Sequence, residues 1–157
     1  MSCWDIVRAF PVDEDLVIRA GGWFDGTTAP LERFVLAHLL RYFNPKRILE
    51  IGTYRGTTTR LILDNVTPDA KVYTIDLPAD GHSCQFEGAT DARLIDNRKV
   101  GVEYRDHPLA PIVSQIWGST FDAATWEQVP AGIEFVFIDA SHSYAAVRND
   151  SVMAGHK

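Results

Sequence analysis

Three carboxylates, Glu50, Asp76 and Asp139, stand at the C-terminal ends of three short apolar runs, RILEI, KVYTID and FVFID. In an open α/β sheet, ligands sit outside the carboxyl ends of the strands, so these three ends converge on one crevice. Three acids on one rim repel an anion and suit a ligand carrying an ammonium, a sulfonium or ribose hydroxyls. The first run leads into Gly52-Thr53-Tyr54-Arg55-Gly56. A dinucleotide fingerprint would need a glycine where Glu50 stands, and no Gly-Lys-Ser/Thr follows to make a P-loop. The turn is not built for phosphate. Gly52 lets the chain turn sharply and a ligand approach, and Gly56 allows close packing where the next helix begins. Asp139 can orient or deprotonate a hydroxyl, bind a divalent cation, or cap the loop after it. His142 can act as a general base near neutral pH or donate a hydrogen bond that fixes that loop.

The elements that must carry these residues are legible from spacing. Pro30 to Phe43 reads as a helix, with Thr28 as its cap, Pro30 in its first turn and Asn44-Pro45 as its stop. Leu31, Phe34, Val35, Leu39 and Phe43 form its apolar stripe. RILEI and KVYTID are strands joined by a helix over residues 56–65, which makes a parallel βαβ crossover. After Pro78 the chain is rich in Gly, Asp and small residues, then turns helix-like from Ala89 to Asn97. Pro108 and Pro111 break a loop before the strand IVSQIW. IEFVFID, apolar on both faces, belongs inside a parallel sheet. Ser141 then caps a helix that starts near Tyr144. The fold class is α/β, a Rossmann-like, doubly wound, mostly parallel sheet. Residues 1–29 read as an N-terminal arm and residues 30–157 as the domain.

Bulk properties narrow the function classes. A chain of 157 residues suits one domain with a real core. Apolar content of 46% with 23% charged residues describes a soluble globular protein. The net charge of −6 argues against a nucleic-acid role, which would want a clustered basic face. Cys3 and Cys84 have no metal-binding spacing and fit a reducing compartment. The N-terminus has early acids and no apolar run of signal-peptide length, and no segment approaches the ~20 apolar residues of a membrane span. The expected location is the cytoplasm.

The stretch Glu50-Ile51-Gly52-Thr53-Tyr54-Arg55-Gly56, followed by Thr57-Thr58-Thr59, resembles motif I of the class I S-adenosylmethionine-dependent methyltransferases. FVFIDASHSYAAVRND resembles motif IV of a small-molecule O-methyltransferase branch that includes macrocin O-methyltransferase and cephalosporin hydroxylase-type proteins. There Asp139, His142, Ser143, Tyr144, Val147 and Asp150 match, and Ala140 replaces the frequent glycine. The resemblance covers roughly Leu31 to Asp150. It implies S-adenosylmethionine as cofactor, held by Glu50, Gly52, Thr53, Tyr54, Gly56 and Thr58. Glu50 would serve the methionine amino group through its surroundings, Asp76 the ribose hydroxyls and Leu77 the adenine. Ser119 and Thr120, after the third strand, would border the adenine without the frequent acidic residue. Asp139 and His142 would be catalytic, assisting deprotonation of a small hydroxylated acceptor.

The resemblance also implies a seven-stranded fold with central order 3-2-1-4-5, of which this chain supplies the first four strands. On that reading the domain is incomplete at its C-terminus, and FVFID becomes an exposed apolar edge that predicts pairing with a second copy or another chain. A divalent cation at Asp139 would lack its usual partners. A catalytically inactive S-adenosylmethionine- or nucleoside-binding module is the alternative reading.

Overall fold

The computed structural model describes residues 3–19, 26–78 and 99–157. The stretch 89–97 and Cys84 lie outside the described residues. The chain runs α1 (Cys3–Ala9), α2 (Pro30–Phe43), β1 (Arg47–Ile51), α3 (Thr57–Asn65), β2 (Lys71–Asp76), a 3-10 turn (Ala110–Ile112), β3 (Val113–Trp117), α4 (Ala123–Glu127), β4 (Phe135–Ile138) and α5 (Tyr144–Ala154). The four strands among the described residues are parallel and ordered β3-β2-β1-β4. Ile48, Val72, Val113, Phe135 and Phe137 join the core beneath α2 and α3. Leu49, Ile51, Ile75, Ile116, Val136 and Ile138 join the opposite core with Trp126 of α4 and Ala154 of α5. Helices therefore cover both faces, as a sheet with two apolar faces requires. No helix among the described residues is long and apolar enough to cross a membrane.

Several local expectations need correction. The buried face of α2 is Leu36, Ala37, His38 and Leu40, whereas Leu31 and Phe43 are 54% and 53% exposed. The expected stripe faces the N-terminal arm: Trp4 lies 6.5 Å from Phe34, and Phe10 lies 5.0 and 5.5 Å from Tyr42 and Phe43, ring to ring. Thr28 does not cap α2. Ala29 stands at the N-cap, and its N–H donates to Glu32 at 3.0 Å. Asn44 does end the helix, in the left-handed conformation at φ 43°. Ser143, not Ser141, caps α5, its hydroxyl accepting from the Ala146 N–H at 3.2 Å. Among the described residues β4 lies at the sheet edge, and its four apolar residues are half-buried rather than sealed.

The arm is tied to the domain by side chains at the end of α3. The buried Asn65 amide mimics a neighbouring strand, accepting from the Val17 N–H at 3.0 Å and donating to the Val17 carbonyl at 2.8 Å. Arg19 forks onto Asp64 at 2.9 and 3.1 Å, and His107 reaches the same carboxylate at 3.1 Å. Asn65→Ala orphans the Val17 backbone and is expected to cost about 2–3 kcal/mol. Urea unfolding measures the loss, and amide exchange at Val17 should accelerate with it.

Candidate functional site

Register decides what lies under the crevice. Glu50 pairs with Thr74 across β1 and β2, and Thr74 pairs with Gln115 across β2 and β3. Parallel partners in register share a face, so these three make a polar layer one step below the strand ends. Thr59 of α3 and Thr74 each donate to Glu50 Oε2 at 2.6 Å. With the Thr74 proton spent there, Thr53 must donate across its 2.6 Å contact with Thr74, and Gln115 donates to Thr53 at 3.0 Å. Every donor in this chain points towards Glu50. The carboxyl is nevertheless 0% exposed, and Oε1 has no hydrogen-bond partner. Burial therefore pushes Glu50 up to about 8, against the pull of Thr59 and Thr74 and with help from Asp76 and Asp139.

The turn above this layer takes its shape from three left-handed residues, Gly52 at φ 104°, Tyr54 at φ 46° and Gly56 at φ 84°. Beside Gly52 there is no room for a side chain: a Cβ would collide with the Asp139 carbonyl and stand 2.9 Å from Ala140 Cα. The glycine thus joins the exits of β1 and β4, and the Asp139 N–H completes the joint by donating to the Ile51 carbonyl at 2.8 Å. Asp76 binds the turn from the other side. Its Oδ2 accepts from the Tyr54 N–H at 2.7 Å and its Oδ1 from the Leu77 N–H at 2.6 Å.

Asp139 stands at the rim between two groups. Thr28 donates to Oδ2 at 3.4 Å, and His142 Nε2 lies 3.7 Å from Oδ1 with its side chain 75% exposed. The 2.7 Å contact of Thr28 with Thr58 then has Thr58 donating, since the Thr28 proton is committed to Asp139. Burial raises the Asp139 pKa, and His142 and Thr28 oppose the rise. Ser119 accepts from the Phe121 N–H at 3.2 Å, and the Thr120 carbonyl accepts from Trp126 at 2.7 Å and Asn149 at 2.8 Å. Among the described residues no three His, Cys, Asp or Glu side chains group to hold a metal ion. Among the described residues, Thr28 and His142 beside Asp139 do not make up the at least ~6 oxygen ligands that a hard cation takes.

The structure therefore gathers Asp76, Asp139 and Tyr54 around Gly52 at the strand ends. It seals Glu50 and Thr53 below them and turns Thr58 towards Thr28. Thr74, Gln115 and Thr28 were missed from sequence. Alternation assigns Thr74 and Gln115 each to one face of its own strand, but only register aligns them on the face of Glu50. No local signal connects Thr28 with Asp139.

This geometry belongs to a known class of protein. A family model described as a methyltransferase domain matches residues 49–156, and the chain belongs to that family. It is similar in fold to the cofactor-bound Rv0187 from MTB, at 18% identity and TM-score 0.55, covering 96% of this chain and 58% of that one. It is also similar to the methyltransferase PaMTH1 of Podospora anserina bound to SAH, at 19% identity and TM-score 0.58, covering 83% of this chain and 50% of that one. The chain thus spans between half and three-fifths of the length of these two structures. No curated protein matches it.

The sealed Glu50 gives a signed pH prediction. Its folded value of about 8 lies above the ordinary 4.5, so its contribution to stability is full below pH 4.5 and is lost as pH rises to about 8. Glu50→Gln keeps the neutral shape. Between pH 5 and 9 its stability should fall less than that of the wild type, by an amount on the order of a few kcal/mol in urea unfolding.

Proposed function

We propose that the crevice binds S-adenosylmethionine and that the domain serves O-methylation of a small hydroxylated acceptor. The observation that carries this reading is the acidic rim. Asp76 and Asp139 flank a turn with three left-handed residues and no phosphate-binding pattern, in a chain of the methyltransferase-domain family. Bound S-adenosylmethionine supplies a sulfonium methyl as the electrophile. A cationic sulfonium and an ammonium suit this rim for the same reason that a pyrophosphate does not.

On this reading Asp76 holds the ribose hydroxyls, and Leu77, Ser119 and Thr120 border the base. Gly52, Tyr54, Gly56 and Thr58 shape the turn and the helix start against the ligand. Glu50 and Thr53 act from beneath, by fixing β1, β2 and α3 to one another. Asp139 orients the acceptor hydroxyl and accepts its proton, while His142 draws the carboxylate towards its ionised form. Methyl transfer asks the protein mainly for positioning, which rigid strand ends provide.

A second reading is a binding module that turns nothing over by itself. The exposure of His142 favours it, because an acceptor there would meet water on one side. Calorimetric titration with S-adenosylmethionine and S-adenosylhomocysteine tests the shared premise. Dissociation constants below about 1 mM are expected, and no heat at that concentration would leave the fold alone. Asp139→Asn and His142→Ala should keep S-adenosylhomocysteine affinity. Asp139→Asn should slow methylation of a hydroxylated acceptor by about a hundredfold. Undiminished rates in both variants would overturn the catalytic assignment. Binding without methylation would favour the module.

A further inference from the structure

A second turn, spanning residues 99–106, grips the glycine turn from outside. The Gly101 N–H donates to the Tyr54 carbonyl at 2.9 Å, and the Glu103 N–H donates to the Arg55 carbonyl at 2.9 Å. The Glu103 carboxylate takes Arg55 Nη2 at 2.6 Å, and the Glu103 carbonyl takes Arg60 Nη1 of α3 at 2.6 Å. The Tyr104 ring packs against both glycines. A Cβ on Gly56 would stand 2.6 Å from its Cδ1, and one on Gly101 would stand 2.7 Å from its Cε1.

What this grip holds is a strained residue. Among the described residues only Asn44 and Tyr54 have positive φ without being glycine. Asn44 is a helix end, where asparagine is at home. A tyrosine in the left-handed region is an outlier that persists only when its surroundings over-determine it. Here the Tyr54 N–H is taken by Asp76 at 2.7 Å and its carbonyl by Gly101 at 2.9 Å. Gly52 and Gly56 permit the shape of the loop without enforcing it, because glycine adopts either sign of φ. Enforcement comes from Asp76 on one side and the Gly101–Tyr104 turn on the other.

We propose that Gly101, Glu103 and Tyr104 are positioning residues for the ligand-binding turn: they hold Tyr54 left-handed and thereby fix the loop in its binding-competent shape before the ligand arrives. The inference rests on the S-adenosylmethionine reading for the identity of the ligand, and on the structure alone for the coupling between the two turns. A clamp that only stabilised the fold would cost the same whatever residue stood at position 54. A clamp that enforces Tyr54 becomes redundant when position 54 adopts the left-handed region freely.

The test is a double-mutant cycle between Gly101→Ala and Tyr54→Gly, read by S-adenosylhomocysteine titration and by urea unfolding. In the wild-type background, Gly101→Ala should weaken binding by about tenfold or more. In the Tyr54→Gly background the same change should cost about threefold or less. Equal losses in the two backgrounds, or full affinity of Gly101→Ala in a wild type that binds, would overturn the proposal. A wild type that does not bind overturns the cofactor reading instead, and the unfolding cycle then decides the clamp. Gly101→Ala should lower the urea midpoint less in the Tyr54→Gly background, and additive losses would reject the coupling. Glu103→Ala, at a side chain 35% exposed, runs the same cycle should Gly101→Ala fail to fold.

Discussion

A carboxyl group sealed inside a sheet can be tolerated only if it is neutral or well bonded. Glu50 is the group that imposes this condition here. Its one bonded oxygen draws a hydroxyl from α3 and another from β2, and the β2 hydroxyl is itself held by Thr53, which Gln115 of β3 engages. Three strands and a helix are thereby indexed to one atom. Apolar packing alone would let these elements slide, because one aliphatic layer resembles the next. A directed chain of short hydrogen bonds fits in only one register. The crevice inherits its alignment from that layer, because the strand ends stand one step above it.

The rim solves a different problem, that of bringing two parallel strands and a turn together without clash. The exits of β1 and β4 meet where Gly52 has no side chain, so the Asp139 backbone lies directly against the turn. The carboxylate of Asp139 is thereby positioned by backbone contact, and Thr28 and His142 bracket it. Asp76 has the opposite character. Its own side chain does the tying, with both oxygens engaged by N–H groups of the turn and of its own strand exit. One acid is placed by the turn, and the other helps to place it.

The strands, the parallel β1–β2 crossover and the two helices that flank β1 are readable because each depends on short-range pattern, whereas the strand order follows from the resemblance. RILEI and KVYTID are apolar runs of strand length, and Asn44-Pro45 can only be a stop. The turn was readable because Gly52 and Gly56 are residues whose conformational freedom is itself the signal. The core face of α2 is not legible from spacing, because two apolar surfaces occupy one helix. Leu36, Ala37 and Leu40 meet the domain while Phe34 and Phe43 meet the arm, and periodicity cannot say which surface is the core. Thr28 stands just before a helix, the commonest place for a cap. Its actual partners are Thr58, 30 residues away, and Asp139, 111 residues away.

The sequence by itself determined the α/β class, the glycine turn, the acids at the strand ends and the resemblance to methyltransferases. All of these reside in residue type and local spacing. Only the tertiary structure decided that Glu50 lies beneath the crevice rather than in it, that Thr28 belongs to Asp139, and that residues 99–106 brace the turn. Those outcomes depend on register and on contacts between distant segments. A one-dimensional pattern carries the two faces of each strand, but not which neighbour each face will meet.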